Sequence, residues 1–255
     1  MIRQERMQVV DQKQIARHIF ELTVQGGLTS EMTAPGQFVH VRVADSYEPL
    51  LRRPISVAAI DPELQQFTMI YRAEGRGTSL LSQKKPGDTL DVLGPLGNGF
   101  PVEQAEKKAY LIGGGIGVPP LYELAKQLNA NGIQTVHILG FESKQAVFYE
   151  EKFKELGETH IATVDGSHGT QGFVTHILNE LPKDFDTYFS CGPTPMLEAV
   201  QWAFPEKRGF LSYEQRMGCG IGACFACVCR TTKSETDYIK VCSDGPVFPA
   251  GVVIA

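Results

Sequence analysis

The chain has 255 residues, 42% of them hydrophobic and 21% charged, and a net charge of −5. That length suits roughly two compact units with a small appended one, and the composition excludes a disordered or fibrous chain. No run of lysine and arginine stands out, so neither a nucleic-acid backbone nor an anionic membrane surface is an expected partner.

The first stretch, MIRQERMQVVDQKQ, is charged throughout and lacks the apolar centre of a secretory signal. No uninterrupted apolar run approaches the roughly 18 residues of a membrane span, so the expected location is the cytoplasm. Six cysteines in a reducing compartment, four of them between residues 219 and 229, favour metal or redox chemistry over disulfides.

Residues 1–101 contain short runs such as QFVHVRV, ISVAAI, QFTMIYRA and DTLDVLGP, rich in β-branched and aromatic residues and separated by Pro, Gly and Asp. They predict an antiparallel barrel or sandwich. Only TSLLSQKK reads as helix there, stopped by Pro86, Gly87 and Asp88. Residues 102–209 change texture: AYLIGGGIG reads as a buried strand, PPLYELAKQLNANG as an amphipathic helix, and QTVHILGF as another strand. FVTHILNELP and DTYFSCGPTPMLEAVQWAF continue the alternation, which predicts a parallel sheet. Residues 210–255 lose it and become cysteine-rich, with RTTKSETDYIKV resembling a hairpin.

Two loops in the middle segment carry chemistry. In GGGIGVPP the spacing Gly115-x-Gly117-x-x-Pro120 sets proline where the common dinucleotide fingerprint has its third glycine. Glycines there let a diphosphate approach the positive end of the helix, although a plain tight turn would read the same way. In YFSCGPTPML, Cys191 and Gly192 fall at the carboxyl end of a second strand, on the edge where open α/β sheets bind ligands. Cys191 alone reads as a packed small residue. Glu142, after HILGF, is either a ribose-binding carboxylate or a solvated one. In the first segment Arg53, Pro54, Ile55 and Ser56 head one strand, Tyr71 and Arg72 end another, and Gly77 and Thr78 open the short helix. Arginine, an aromatic hydroxyl and a glycine at a helix start can hold a diphosphate and a flat ring, though solvated arginines and a simple cap fit as well.

The order RPIS, GRGTSLL, GGGIGVPP, CGPTPML resembles the ferredoxin reductase-like flavoproteins over essentially the whole chain. With CGIGACFACVC it is most similar to the electron-transfer subunits of the NAD-dependent (type B) dihydroorotate dehydrogenases of pyrimidine synthesis. The resemblance implies an FAD-binding antiparallel β-barrel over 1–101, a parallel-sheet α/β domain binding NAD over 102–209, and a [2Fe-2S] domain over 210–255. FAD contacts would fall on Arg53, Pro54, Ile55, Ser56, Ile70, Tyr71, Arg72, Gly77 and Thr78. Cys191 and Gly192 would lie near the nicotinamide, with Gly115 and Gly117 on the dinucleotide.

The first three cluster ligands follow from spacing as well. Cys219-x4-Cys224-x2-Cys227 is the plant-type [2Fe-2S] pattern. Cys242, after a gap shorter than plant ferredoxins have, completes the set by resemblance, and Cys229 is left to packing. Structural zinc also takes four thiolates, but usually through two paired knuckles. A nicotinamide exchanges electrons as a hydride pair and a [2Fe-2S] cluster one at a time, and a flavin does both. The resemblance supplies the partner, an FMN-containing catalytic subunit that oxidises dihydroorotate, in a heterotetramer of two copies of each chain. Electrons would pass from FMN to the cluster, to FAD, to NAD. Met217, Ile221 and Phe225 form either a docking rim for that partner or an apolar patch packed onto the chain's own barrel. The competing expectations are a reductase subunit of another NAD(P), flavin and iron-sulfur complex, or a zinc-stabilised binding module without catalysis.

Overall fold

In each of six N-terminal strands two apolar residues spaced i, i+2 point to one face, as a pleated strand dictates. They are Met7 and Val9, Leu22 and Val24, Val39 and Val41, Ile55 and Val57, Phe67 and Met69, and Leu90 and Val92, and together they build one buried core. The computed structural model describes residues 1–46, 48–234 and 236–254. In it these strands are β1 (Arg3–Ala16), β2 (Ile19–Gln25), β3 (Phe38–Arg42), β4 (Arg53–Asp61), β5 (Gln66–Arg72) and β6 (Thr89–Leu96). They close into an antiparallel barrel in the order β1-β2-β5-β4-β3-β6, which settles the choice between barrel and sandwich. β1 closes it: Arg3 to Gln8 pair with β6, and Gln8 to Ala16 pair with β2. The helix expected over TSLLSQKK begins earlier and is shorter, α1 (Arg76–Leu81), ending before SQKK, and Gly87, at φ +93°, makes the turn into β6.

The second unit alternates strand and helix through β7 (Lys108–Gly114), α2 (Pro119–Ala130), β8 (Gln134–Phe141), α3 (Glu150–Lys154), β9 (Glu158–Thr163), β10 (Thr170–Gln171), α4 (Val174–Glu180), β11 (Thr187–Cys191), α5 (Thr194–Ala203) and β12 (Arg208–Ser212), of which α3, β9 and β10 were not read from the sequence. Its sheet has the order β10-β9-β8-β7-β11-β12, all parallel, with one further strand beyond β12. The last strand, β15 (Val247–Pro249), comes from the C-terminal segment and pairs antiparallel with β12. β12 therefore runs across the expected boundary at 209/210. Its apolar GFLS continues the sheet, and the cysteine-rich texture begins only after it. Strand order reverses between β7 and β11, and the carboxyl ends of those two strands carry the two glycine loops.

The cysteine-rich segment forms a loop, then β13 (Val228–Thr231), β14 (Tyr238–Lys240), α6 (Val241–Asp244) and β16 (Val253–Ile254), the last beyond β15. β13 and β14 form the expected hairpin, and β16 adds to the other edge of β13. This segment is bound to the barrel through Asn98, whose N–H donates to the Gly245 carbonyl at 2.8 Å and whose side-chain amide donates to the Asp244 carbonyl at 2.8 Å. Two buried carboxylates join barrel to sheet. Glu123 of α2 accepts from the Ile60 N–H at 3.0 Å and from Lys126 at 2.9 Å. Glu21 of β2 accepts from the Tyr149 hydroxyl and pairs with Lys13 at 2.8 Å and Lys152 at 3.3 Å.

Candidate functional site

Where the three units meet there is a cleft of about 250 Å³, room for a ring system rather than for a whole dinucleotide. Pro54, Ile55 and Ser56 from β4, Ile70, Tyr71 and Arg72 from β5, and Thr78 from α1 line its barrel side. Arg53 is not in that lining. Its guanidinium instead lies over Gly77, where an added Cβ would come within 2.4–2.7 Å of three guanidinium atoms. Glycine is thus what lets the arginine cross the start of α1. The Tyr71 hydroxyl donates to Gln12 at 3.1 Å, so the tyrosine offers the cleft its ring more than its oxygen. Burial holds that phenol well above its ordinary pKa.

The two glycine loops touch. A Cβ on Gly117 would meet the Cys191 carbonyl oxygen at 2.3 Å and the Gly192 nitrogen at 2.6 Å, and one on Gly192 would meet the Gly114 nitrogen at 3.1 Å. Gly115 is at φ +54°, within 3.5 Å of Arg72 through its absent Cβ, which ties the loop to the barrel side of the cleft. Pro119 and Pro120 open α2, where the first N–H groups need no internal partner. Cys191 itself is 1% exposed, and burial drives its thiol pKa far up, so it is a packed thiol and not a nucleophile. Glu142 borders a separate open depression beyond β8 and β9, with Arg17, Lys144 and Asp165. A larger hollow of about 720 Å³ beside Trp202 and Lys207 lies at the opposite, amino-terminal ends of β11 and β12 and contains none of the expected residues.

Sequence reasoning missed the far wall of the cleft: Phe38, Ile116, Tyr213, Glu214 and Gln215 also line it. Glu214 opens into the cleft, but the protein around it disfavours its charge. Its side chain is exposed in the cleft, yet the protein packed around it raises its pKa, against the pull of Arg72 across the gap. Its position just past the carboxyl end of β12 was the available signal. Met217, expected either on a docking rim or packed onto the barrel, is half-buried and lines the cleft. Ile221 and Phe225 are exposed at 49% and 61%.

From Met217 the chain reaches the cysteine loop within two residues. Cys227 and Cys242 have their sulfurs in contact at 3.3 Å, somewhat closer than the roughly 3.8 Å of two thiolates on one tetrahedral metal. The Cys224 N–H points at the Cys219 sulfur at 3.3 Å, and the Gly222 N–H at the Cys242 sulfur at 3.2 Å. Burial works to raise the Cys219 thiol, but N–H donors from Ile221, Cys224 and Ala223 outweigh it and bring the pKa down to about 7. Cys242 lies deeper, and burial with its Cys227 contact pushes it up to about 12. Among the described residues no three His, Cys, Asp or Glu side chains surround one point as a single ion requires. The thiols are gathered two and two. Amide donors aimed at sulfur suit a sulfur-ligated cluster, so these residues fit the group that the spacing predicts. Gly220 and Gly222, at φ +73° and +79°, bend the loop, and Lys240 fastens it by donating to the Gly222 carbonyl at 2.7 Å. Cys229 is buried on β13, paired with Ile239 in the hairpin, outside this loop.

A barrel and a parallel sheet joined over a ring-sized cleft, with thiols beside it, define a flavin-dependent oxidoreductase of the ferredoxin reductase fold. The comparisons narrow this further. A family model described as the iron-sulfur cluster binding domain of dihydroorotate dehydrogenase B matches residues 214–254, and one described as the oxidoreductase NAD-binding domain matches residues 111–202. The chain is 63% identical to the dihydroorotate dehydrogenase B (NAD(+)) electron transfer subunit of Lysinibacillus sphaericus (strain C3-41), over 99% of each chain. It is 60% identical to that of Geobacillus sp. (strain WCH70), over 100% of each. It belongs to the family of dihydroorotate dehydrogenase B (NAD(+)) electron transfer subunits. Among solved structures it is similar to a chain of an NADH-dependent reduced ferredoxin-NADP oxidoreductase studied for flavin-based electron bifurcation, at 31% identity and TM-score 0.87, covering 97% of this chain and 89% of that one. A cytochrome P450 reductase of Amycolatopsis shares the fold at 22% identity and TM-score 0.68, covering 80% of this chain and 66% of that one.

Proposed function

We propose that this chain carries electrons from a dihydroorotate-oxidising catalytic subunit to NAD(+). The observation that carries the reading is the continuity of cleft and cysteine loop: Met217 lines the cleft and Cys219 follows it two residues on. When bound, the cluster supplies one-electron chemistry, FAD exchanges single electrons and pairs, and NAD(+) takes a hydride.

The chain's own residues divide this work. Arg53, Gly77 and Thr78 hold the FAD diphosphate, with the guanidinium already laid across the start of α1. Pro54, Ile55, Ser56, Ile70, Tyr71 and Arg72 shape the ring side, and Glu214 faces them. Gly115, Gly117, Cys191 and Gly192 receive the nicotinamide dinucleotide at the switch point between β7 and β11. Cys219, Cys224, Cys227 and Cys242 ligate the cluster, and Cys229 does not.

The partner is an FMN-containing catalytic subunit in a cytoplasmic complex of two copies of each chain. Among the described residues no helix is long and apolar enough to cross a membrane. Exposed Ile221 and Phe225, with Tyr238 and Val228 beside them, form the docking face. Cys219 and Cys224 are only half-buried behind it, so the partner would cover the cluster's outer edge.

The purified protein is expected to contain FAD, together with iron and acid-labile sulfide in equal amounts. Arg53→Ala is expected to lose most of its FAD while keeping its iron. Full FAD retention in that variant would remove the diphosphate assignment.

A further inference from the structure

His40 is wholly buried, and neither of its ring nitrogens has a hydrogen-bond partner. The other fully buried histidine, His137, bonds through both nitrogens, to Thr159 and Thr135 at 2.9 Å each. The fold therefore satisfies a buried imidazole in the sheet and leaves one open here. Buried polar groups are nearly always paired, so an orphaned one calls for an acceptor that arrives with a ligand.

Its surroundings identify that ligand. Val39 and Val41 of β3 face the barrel core, whereas Phe38 belongs to the core that contains Cys227, Val241 and Cys242. His40 shares the Phe38 face, with ring centroids 5.9 Å apart. A Cβ on Gly220 would lie 2.6–2.9 Å from three imidazole atoms, so the ring rests against the loop between Cys219 and Ile221. Phe38 lines the flavin cleft and His40 does not, which leaves the cysteine side for the missing acceptor.

We infer that His40 donates a ring N–H hydrogen bond to a sulfur of the bound [2Fe-2S] cluster and raises its reduction potential, an inference that rests on the cluster reading above. A neutral imidazole has one N–H to give, and cluster sulfur can only accept. Burial and the nearby Arg52 guanidinium keep the ring neutral, with a pKa held down to about 4. Arg52 is itself occupied by Asp91 at 2.9 Å. Hydrogen bonds to cluster sulfur favour the more negative reduced state and so shift the potential upward.

The test uses the complex with its catalytic partner, only this chain carrying 15N-histidine. The reduced cluster is examined by pulsed electron paramagnetic resonance, and its midpoint potential by redox titration. The expected result is a 15N imidazole coupling in the wild type that disappears in His40→Leu, together with a lower midpoint in that variant. Equal midpoints at full iron and sulfide content, or no 15N coupling in the wild type, would overturn the inference and leave the cluster reading intact. If His40→Leu fails to assemble a cluster, the wild-type coupling decides alone. A wild-type complex without iron and labile sulfide would instead overturn the cluster reading, and this inference with it.

Discussion

Gly117 and the C-terminal cysteines illustrate how much a single residue decides here. At Gly117 an added Cβ would sit 2.3 Å from a backbone carbonyl oxygen, which no side-chain motion relieves. Gly117→Ala is therefore expected to part the two glycine loops and raise the KM for NAD(+) by roughly tenfold, about 1.4 kcal/mol of lost binding. Reduction of an artificial acceptor from the flavin should change little, and steady-state kinetics with both acceptors separates the two effects. Among the cysteines, Cys219→Ser should abolish the cluster while Cys229→Ser leaves iron and acid-labile sulfide unchanged. Loss of iron in the second variant would overturn the ligand assignment. The x4-x2 spacing singled out three of these cysteines in the sequence, because they lie in one local loop. His40 was not legible, and Glu214 only through its place past a strand end: each acquires its role when elements distant in the chain meet, β3 under the cysteine loop and β12 across from β5.

At the level of elements, the parallel unit was readable where β7, β8 and β11 are apolar runs and α2, α4 and α5 are stopped by glycine or proline, whereas β9 (ETHIAT) and the two-residue β10 carry no such run. β1 was hidden for the opposite reason. In RQERMQVVDQKQIA only Met7 and Val9 are fully buried, so a strand that closes the barrel looks like a charged leader. β15 was missed because its three residues are placed by pairing with β12 and not by any local pattern. The junction between barrel and sheet makes its own prediction. Burial works to raise the Glu21 carboxyl, but the bonds from Lys13 and Tyr149 and the charge of Lys152 hold it below the ordinary carboxylate range. A depressed folded pKa stabilises above the unfolded value of about 4.3, and the contribution fades as pH falls through the folded pKa. Glu21→Gln should thus cost roughly 1–2 kcal/mol near neutral pH, less than a fully buried pair because both lysines are about half exposed. Thermal unfolding should show wild type and variant converging in acid, and a gap unchanged down to pH 3 would contradict the account.

Across the whole molecule, the barrel, the sheet and the cysteine-rich segment share one cleft, so under the proposed assignments a two-electron carrier and a one-electron carrier would lie side by side within a single chain. The resemblance read from RPIS, GGGIGVPP, CGPTPML and the cysteine run extends over the full length, and relatives at 60–63% identity bear it out. The competing expectation of another reductase complex has its counterpart in the bifurcating oxidoreductase chain, alike in fold but only 31% identical. Dihydroorotate-driven reduction of NAD(+) by the complex of this chain with its catalytic partner tests the central claim most directly. The account predicts that NADH formation stops when this chain is removed, while the partner alone still reduces an artificial acceptor with dihydroorotate. A partner that reduces NAD(+) equally well without this chain, or a fully loaded complex that ignores dihydroorotate, would contradict it.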